Sequence, residues 1–200
     1  MKKSILISIK PESTAKILSG EKTIEIRRTA PKCDLPIDVY IYCTKGKPCV
    51  SKINECILED RLIQLWCHCS KYKGRDDING KIVAKFTLRE VEKIIALTNE
   101  HPTEYYAGGM DLGSVLHKAR LSKEELRNYL KDKDGYAWHM ENLTVLDPME
   151  LSDFKHKKKY ETCEGCPYKD GDCYAKCLTC SDMAQVTKAP KSWMYVEETK

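Results

Sequence analysis

The sequence predicts an α+β fold in which short helices accompany a sheet. Segments that alternate apolar and polar residues recur along the chain, and this period of two is typical of half-buried strands. The clearest of them are residues 4–9, 38–44 and 136–146. Helix signals are fewer and local. At 200 residues the chain is long enough for one domain with a normal core, so we expect a single domain.

The chain opens with a predicted strand, a short helix and a second strand. Residues 4–9 alternate and end at Lys10-Pro11. Pro11 is favoured in the first turn of a helix, and Glu12 lies near the positive end of the helix dipole. Gly20 is a typical residue just beyond a helix end. We therefore predict a helix from Pro11 to Ser19, followed by the strand that begins at Thr23.

This second strand has an unusual charged face. Alternation places Ile24 and Ile26 on one face and Thr23, Glu25 and Arg27 on the other. Lys22 lies at the entrance to the strand. One interpretation is a solvated outer face with an ordinary Glu–Arg pair, because such pairs are common and contribute little energy. The other interpretation is a face used for recognition or chemistry.

Later segments predict the remaining elements. Residues 38–44 form a strand, and residues 80–88 and 91–97 form central strands with a bulge or bend near Arg89-Glu90. Residues 101–113 have a loop composition, suited to a packed surface loop or to a flexible or stacking loop. Ser122 and Glu125 form a capping box with a Leu121–Leu126 staple, which predicts a helix over 123–131. A last strand begins at Tyr136 and stops at Asp147-Pro148.

Three segments together resemble one known family. The opening SIKPESTAKILSGEKTIEIRR contains Gly-x-Lys-x-x-Glu-x-Arg, matched by Gly20, Lys22, Glu25 and Arg27. The segments GYAWHMENL at 135–143 and APKSWMYV at 189–196 follow in the same order. This arrangement resembles the ASCH family of phage and bacterial proteins. The resemblance implies a PUA-like mixed β-barrel with short flanking helices, spanning residues 1–200 as one domain.

The resemblance also implies a function in nucleic-acid or nucleotide binding, with RNA as the expected partner. Lys22 and Arg27 can meet phosphate or carbonyl oxygens, Glu25 can accept from an exocyclic amine, and Trp138 or a nearby tyrosine can stack on a base. His139 belongs to the same expected ligand-binding groove. The sequence indicates no particular protein partner.

Two other functions stay open from the sequence. Some ASCH proteins are amidohydrolases with a Thr nucleophile three residues after the motif lysine, and ribonuclease activity has been ascribed to others. Glu25 occupies that Thr position here, which argues against simple acyl transfer because a carboxylate would have to become a mixed anhydride. Lys22, Glu25 and His139 could still serve acid–base cleavage of RNA. The third function is a structural or protein-binding adaptor.

Residues 49–79 read as an insertion at the edge of the barrel. A partly helical pattern is followed by Cys67-His68-Cys69 and then by a polar run. Those three side chains could bind a metal. Adjacent residues of a strand point to opposite faces, so at most two of them could share one ion.

Charge and hydropathy narrow the class of protein. The chain has 34 basic and 30 acidic residues, a net charge of +4 that permits a nucleic-acid partner. It contains no apolar run near the roughly 20 residues that a membrane span needs. Met1-Lys2-Lys3 precedes a short alternating strand instead of the apolar core of a signal peptide. We therefore expect a cytoplasmic protein that does not bind a membrane.

A second insertion, at 155–188, contains five of the eleven cysteines. Cys163, Cys166, Cys177 and Cys180 form two Cys-x-x-Cys pairs, the arrangement of a tetrahedral zinc site, with Cys173 as an alternative ligand. An iron–sulfur cluster also takes four thiolates, and disulfides or free thiols are the remaining possibility. The run at 155–159, Lys-His-Lys-Lys-Lys, is either a solvated linker or a set of phosphate contacts.

The cysteine pattern yields a first prediction. If the segment holds structural zinc, purified protein should carry about one colourless metal ion per chain, because so polar a segment needs the metal to fold. Elemental analysis and the visible spectrum test this. Strong chelation should loosen residues 155–188 and leave the rest folded. A brown protein would indicate iron–sulfur, and an ordered metal-free segment would contradict both metals.

Overall fold

The computed structural model describes residues 3–45, 79–99, 102–156 and 185–198. The predicted insertions fall largely outside these ranges. Cys67, His68 and Cys69 lie outside the described residues, and the zinc ligands predicted at 163, 166, 173, 177 and 180 do as well.

The described residues form strands and short helices, which confirms the α+β prediction. The strands are β1 (Lys3–Ile9), β2 (Ile24–Arg27), β3 (Ile37–Cys43), β4 (Ile82–Leu97), β5 (Glu104–Ala107), β6 (Gly135–Met149), β7 (Phe154–His156) and β8 (Trp193–Glu198). The helices are α1 (Pro11–Leu18), α2 (Leu112–Ala119) and α3 (Lys123–Leu130), with a 3-10 turn at Leu151–Asp153. No described helix is long and apolar enough to cross a membrane.

The strands form one mixed sheet in the order β2-β6-β4-β3-β1-β8-β7, with β5 paired to β4. β1 and β3 run parallel, and the other pairs are antiparallel. Among the described strands, β2 and β7 are the two ends of this path, so backbone pairing does not close the sheet. The sheet is the mixed one that the resemblance implies, but it is not a barrel closed by hydrogen bonds.

A side-chain contact nevertheless shows that the sheet curls. The Arg27 guanidinium at the end of β2 donates a hydrogen bond of 2.7 Å to the backbone oxygen of Ser8 on β1. Four strand spacings separate β2 from β1 along the sheet, roughly 19 Å if it were flat. Such a contact is possible only if β2 folds back toward β1.

The curl separates the apolar side chains into three clusters. The first lies on the side of the sheet where Ile5, Ile7 and Ile9 of β1 meet Trp138 of β6. The second lies between β2, β4, β5 and β6 and the helices α2 and α3, and includes Ile24 and Ile26. The third packs the opposite face of β1 against β7 and β8. β1 is therefore buried on both faces, which explains its nearly continuous apolar sequence.

Several predicted elements are confirmed with small shifts in their bounds. α1 ends at Leu18, one residue early, and Gly20 has a φ of +77°, which favours glycine. β4 runs through both predicted central strands, and its register shifts between Leu88 and Glu90, where we expected a bulge. β6 continues past the predicted stop at Asp147-Pro148 and ends at Met149. Pro148 is tolerated because pairing is irregular at that end of the strand.

The loop predicted over 101–113 is wrong in part. Residues 104–107 form β5, which pairs with the far end of β4. α2 then begins at Leu112, and the Asp111 side chain caps it by accepting a 3.0 Å hydrogen bond from the Ser114 amide. The strand depends on tertiary pairing that local sequence does not reveal. The cap could have been predicted from the sequence, because an Asp before an apolar pattern is a helix-start signal.

The linker interpretation of the basic run also fails for its first two residues. Lys155 and His156 belong to β7 and pair with Glu197 and Val196 of β8. The other three residues of the run lie outside the described ranges.

The capping box of α3 is confirmed. The Ser122 hydroxyl accepts from the Glu125 amide at 3.1 Å, and the Glu125 carboxylate accepts from the Ser122 amide at 2.7 Å. These hydrogen bonds hold the pKa of Glu125 below its usual value, and the bond from the Ser122 backbone has the larger effect. The resulting stabilisation is present above the unfolded-state pKa and is lost as the pH falls through the lowered folded-state pKa.

The cap leads to a prediction about stability. Ser122→Ala should lower the free energy of unfolding by about 1 kcal/mol, because it leaves an amide at the start of α3 without its acceptor. Urea denaturation followed by circular dichroism measures the change. Lys133→Ala, in the exposed turn after α3, is the control and should leave the midpoint nearly unchanged. Equal midpoints for both variants would contradict a stabilising cap.

Candidate functional site

The two faces of β2 are both buried. Ile24 and Ile26 pack beneath α2 and α3, as the alternation predicts. On the opposite face, Glu25 and Arg27 are only 9% and 7% exposed. The interpretation of this face as a solvated outer surface is therefore wrong, and the charged residues must find their partners inside the protein.

Those partners form a chain of ion pairs that we call the Lys22–Glu25–Arg27 network. The Lys22 ammonium lies 3.1 Å from Oε2 of Glu25. The other carboxylate oxygen, Oε1, lies 3.0 Å from the Arg27 guanidinium. Each oxygen of Glu25 thus contacts a different cation. The carboxylate orients both cations and compensates part of the cost of burying them.

Local structure explains how Lys22 enters this network. The turn after α1 passes through Gly20, and the Lys22 amide donates back to the Lys16 oxygen at 2.8 Å. The Lys22 side chain is only 4% exposed and donates a 2.7 Å hydrogen bond to the oxygen of Ala119. Ala119 is the last residue of α2, where the carbonyl groups lack helical partners and carry partial negative charge. Lys22 therefore ties α2 to β2.

Arg27 makes the contacts at the other end of the network. Besides Glu25 and the Ser8 oxygen, its guanidinium lies 3.4 Å from the Ser192 hydroxyl, just before β8. Its Nε atom is buried and has no hydrogen-bond partner among the described residues. Arg27 thus connects β2, β1 and the start of β8.

Trp138 faces the same side as the network. It lies directly opposite Glu25 in the β2–β6 pair, and opposite residues of an antiparallel pair point to the same face. Its indole is completely buried, and no partner for Nε1 is found within the described part of the chain. Trp138 therefore cannot stack on a ligand in this conformation. Like Arg27 Nε, its Nε1 is a buried donor that the described residues leave without an acceptor.

An aromatic side chain that the sequence reasoning missed connects Trp138 to the surface. Trp193 is half-buried, lies edge-on to Trp138 at 5.5 Å and donates from Nε1 to the Thr29 hydroxyl at 3.0 Å. Tyr195 follows Trp193 at 5.4 Å, and burial raises the pKa of its phenol. The closing segment at 189–196 had suggested the fold but had not suggested this role. The signal available in the sequence was Trp193, which directly follows Ser192 in that segment.

His139 is not part of this arrangement. It lies opposite Ile24, so its side chain points to the other face of the sheet. Its Nε2 atom is 3.3 Å from Oε2 of Glu92 on β4. Glu92 is buried, and its other oxygen accepts from the amides of Gly109 and Met110 at 2.6 Å each. The structure thus brings Lys22, Glu25, Arg27 and Trp138 together. His139 instead contacts Glu92, which orders the loop after β5.

The described residues offer no metal centre. No group of three or more His, Cys, Asp or Glu side chains within them could hold an ion. Two cysteines fall in the described ranges: Cys43 is buried and Cys33 is half-buried. Cys43 lies in the first apolar cluster, where a cysteine acts as a small apolar side chain.

Comparison with known proteins finds distant similarity to solved structures. No protein-family model matches the chain, and no curated protein does. Among solved structures, the ASCH protein of Zymomonas mobilis is similar, with 18% identity and a TM-score of 0.44 over 74% of this chain and 73% of that one. Its Tyr→Phe variant is 16% identical, with a TM-score of 0.43 over 74% of this chain and 76% of that one. Its Ser→Ala variant is 17% identical, with a TM-score of 0.43 over 74% of each chain. These structures are ASCH domains, the family that the sequence resembles.

The burial of the network yields a prediction about stability. Glu25→Gln keeps the shape of the side chain but leaves the Lys22 and Arg27 cations without a carboxylate. We expect a loss of about 3 kcal/mol or more in the free energy of unfolding, as for other broken buried ion pairs. Chemical denaturation measures it. Glu90→Gln is the control, because Glu90 is an exposed residue on β4. If both substitutions have an equally small effect on the free energy of unfolding, the network contributes little to stability.

Proposed function

We propose that the protein binds nucleic acid or nucleotides, with RNA as the expected class, where half-buried Trp193 lies beside the Lys22–Glu25–Arg27 network. The observation that carries the proposal is a pair of buried donors without an acceptor in the described part of the chain, Arg27 Nε and Trp138 Nε1, on the face that Trp193 connects to the surface. A buried donor without an acceptor costs about 1–3 kcal/mol. A ligand that supplies acceptors therefore recovers free energy that the protein alone does not have.

The chemistry around these donors suits a nucleotide. Base stacking on an aromatic ring tolerates any sequence, and Trp193 offers a partly exposed indole next to a cationic network. Lys10, directly after β1, and Lys191, directly before Ser192, are both exposed. Such cations near the contacts of Arg27 would attract a phosphate backbone. Single-stranded RNA presents unstacked bases and phosphates together, which is why we favour it.

Binding is favoured over hydrolysis by the contacts of Lys22. Its ammonium is buried between the Ala119 oxygen and the Glu25 carboxylate, an arrangement that holds a charged lysine in place. Because both contacts engage the ammonium, it is not placed to take a proton from a substrate. His139, the third residue of the hydrolytic alternative, points to the other face of the sheet.

The test compares RNA binding by two aromatic variants. Trp193→Ala should weaken binding to a short single-stranded RNA about tenfold, because stacking on one aromatic side chain is worth about 1–3 kcal/mol. Fluorescence anisotropy at constant salt gives the dissociation constants. Tyr106→Ala is the matched control, since Tyr106 on β5 is an aromatic side chain with 57% exposure on another part of the sheet.

Three results would contradict the proposal. Equal dissociation constants for Trp193→Ala and the wild type would remove Trp193 from the site. Wild-type turnover of RNA or acylated nucleosides that disappears in Lys22→Met would replace binding with hydrolysis. Absence of both binding and turnover would favour the adaptor function. Melting curves of each variant are recorded in parallel, because Trp193 also packs against the core.

A further inference from the structure

We infer that the Lys22–Glu25–Arg27 network receives an oxyanion, a phosphate group of the nucleotide, and not the amino group of a base. This inference rests on the proposed function and specifies which part of the ligand enters the site. It changes the role of Glu25, which the sequence had suggested as an acceptor for an exocyclic amine.

The first argument is charge. Lys22 and Arg27 contribute two positive charges to the network and Glu25 contributes one negative charge, so one positive charge is left over. Among the described residues, the other hydrogen-bond partners of the two cations are neutral: the oxygens of Ala119 and Ser8 and the Ser192 hydroxyl. The Glu125 carboxylate at the start of α3 also acts electrostatically on Lys22 but does not form an ion pair with it. All three charged side chains are at most 12% exposed. A buried net charge is unfavourable unless it is paired, and an oxyanion would pair it.

The second argument is the direction of the unused hydrogen bonds. Arg27 Nε and Trp138 Nε1, for which the described residues supply no partner, are both donors. Both oxygens of Glu25 already contact a cation. An amino group entering here would therefore face donors and meet an acceptor already in use. A phosphate presents several acceptor oxygens and matches the guanidinium geometry.

A base carbonyl oxygen would satisfy the donors but would not compensate the charge. The two ligand groups can therefore be separated experimentally. A charged group should depend on the charge of the network, whereas a neutral carbonyl should depend mainly on the donors.

The experiment measures binding and melting with three probes at constant ionic strength: inorganic phosphate, uridine 5′-monophosphate and uridine. We expect the monophosphate to bind at least tenfold more tightly than uridine and inorganic phosphate to displace it. Because a ligand of the folded state stabilises it, phosphate should also raise the melting temperature. Equal affinity for monophosphate and uridine would overturn the inference.

Glu25→Gln gives the sharpest discrimination. The variant raises the charge of the network from one to two, so phosphate should increase its melting temperature by more than that of the wild type, even though the variant itself is less stable. If Glu25 instead accepts from a base amine, the variant should lose nucleotide affinity and gain nothing from phosphate, which would overturn the inference.

Trp138→Phe removes one of the two donors and keeps an aromatic ring in place. We expect the preference for monophosphate over uridine to fall several-fold. Tyr40→Phe is the matched control. Tyr40 is a buried aromatic residue of the third apolar cluster, and the substitution removes a hydroxyl that hydrogen bonds to Glu198. An unchanged preference in a folded Trp138→Phe variant would count against the inference.

The outcomes separate this inference from the proposed function. Tight RNA binding with no effect of phosphate supports the proposed function and overturns the inference. Phosphate binding without any nucleotide or RNA binding supports the oxyanion site and overturns the proposed function. Absence of binding by all probes overturns both.

Discussion

The architecture depends on Arg27 reaching from β2 to β1. These strands are separated by three others in the sheet, yet the guanidinium hydrogen bonds to the Ser8 backbone. That contact holds the sheet in its curled form where backbone pairing does not close it. The same side chain is held by Glu25, and Glu25 is held by Lys22, whose ammonium ends at the C-terminus of α2. Fold and candidate site therefore share one set of interactions.

This sharing explains why the network can be both structural and functional. Burial makes each ion pair expensive to form and expensive to break, so the cations are held in fixed positions. Fixed donors bind a ligand with little loss of conformational entropy, which is the usual advantage of a preorganised site. The excess positive charge of the network, and the donors of Arg27 and Trp138 that have no partner within the described ranges, are then features that a ligand can exploit.

The predictions that succeeded rest on local physics. The capping box at Ser122 and Glu125 depends on residues three apart, and the two faces of β2 follow from the period of two. β5 was missed because four residues pair only after β4 has brought a partner close. His139 was grouped with Lys22 and Glu25 as a nearby residue able to take part in acid–base chemistry. Only the β2–β6 register shows that it points to the other face.

The sequence by itself determined the α+β class, the charged face of β2 and the resemblance that relates Gly20, Lys22, Glu25 and Arg27. These are properties of residue type and spacing. Tertiary structure alone decided whether that face is solvated or buried, because exposure depends on what folds against it. It also decided that Ala119, Ser8 and Ser192 surround the cations. Those partners are backbone oxygens and a hydroxyl from distant parts of the chain, and such groups carry no pattern that a sequence can display.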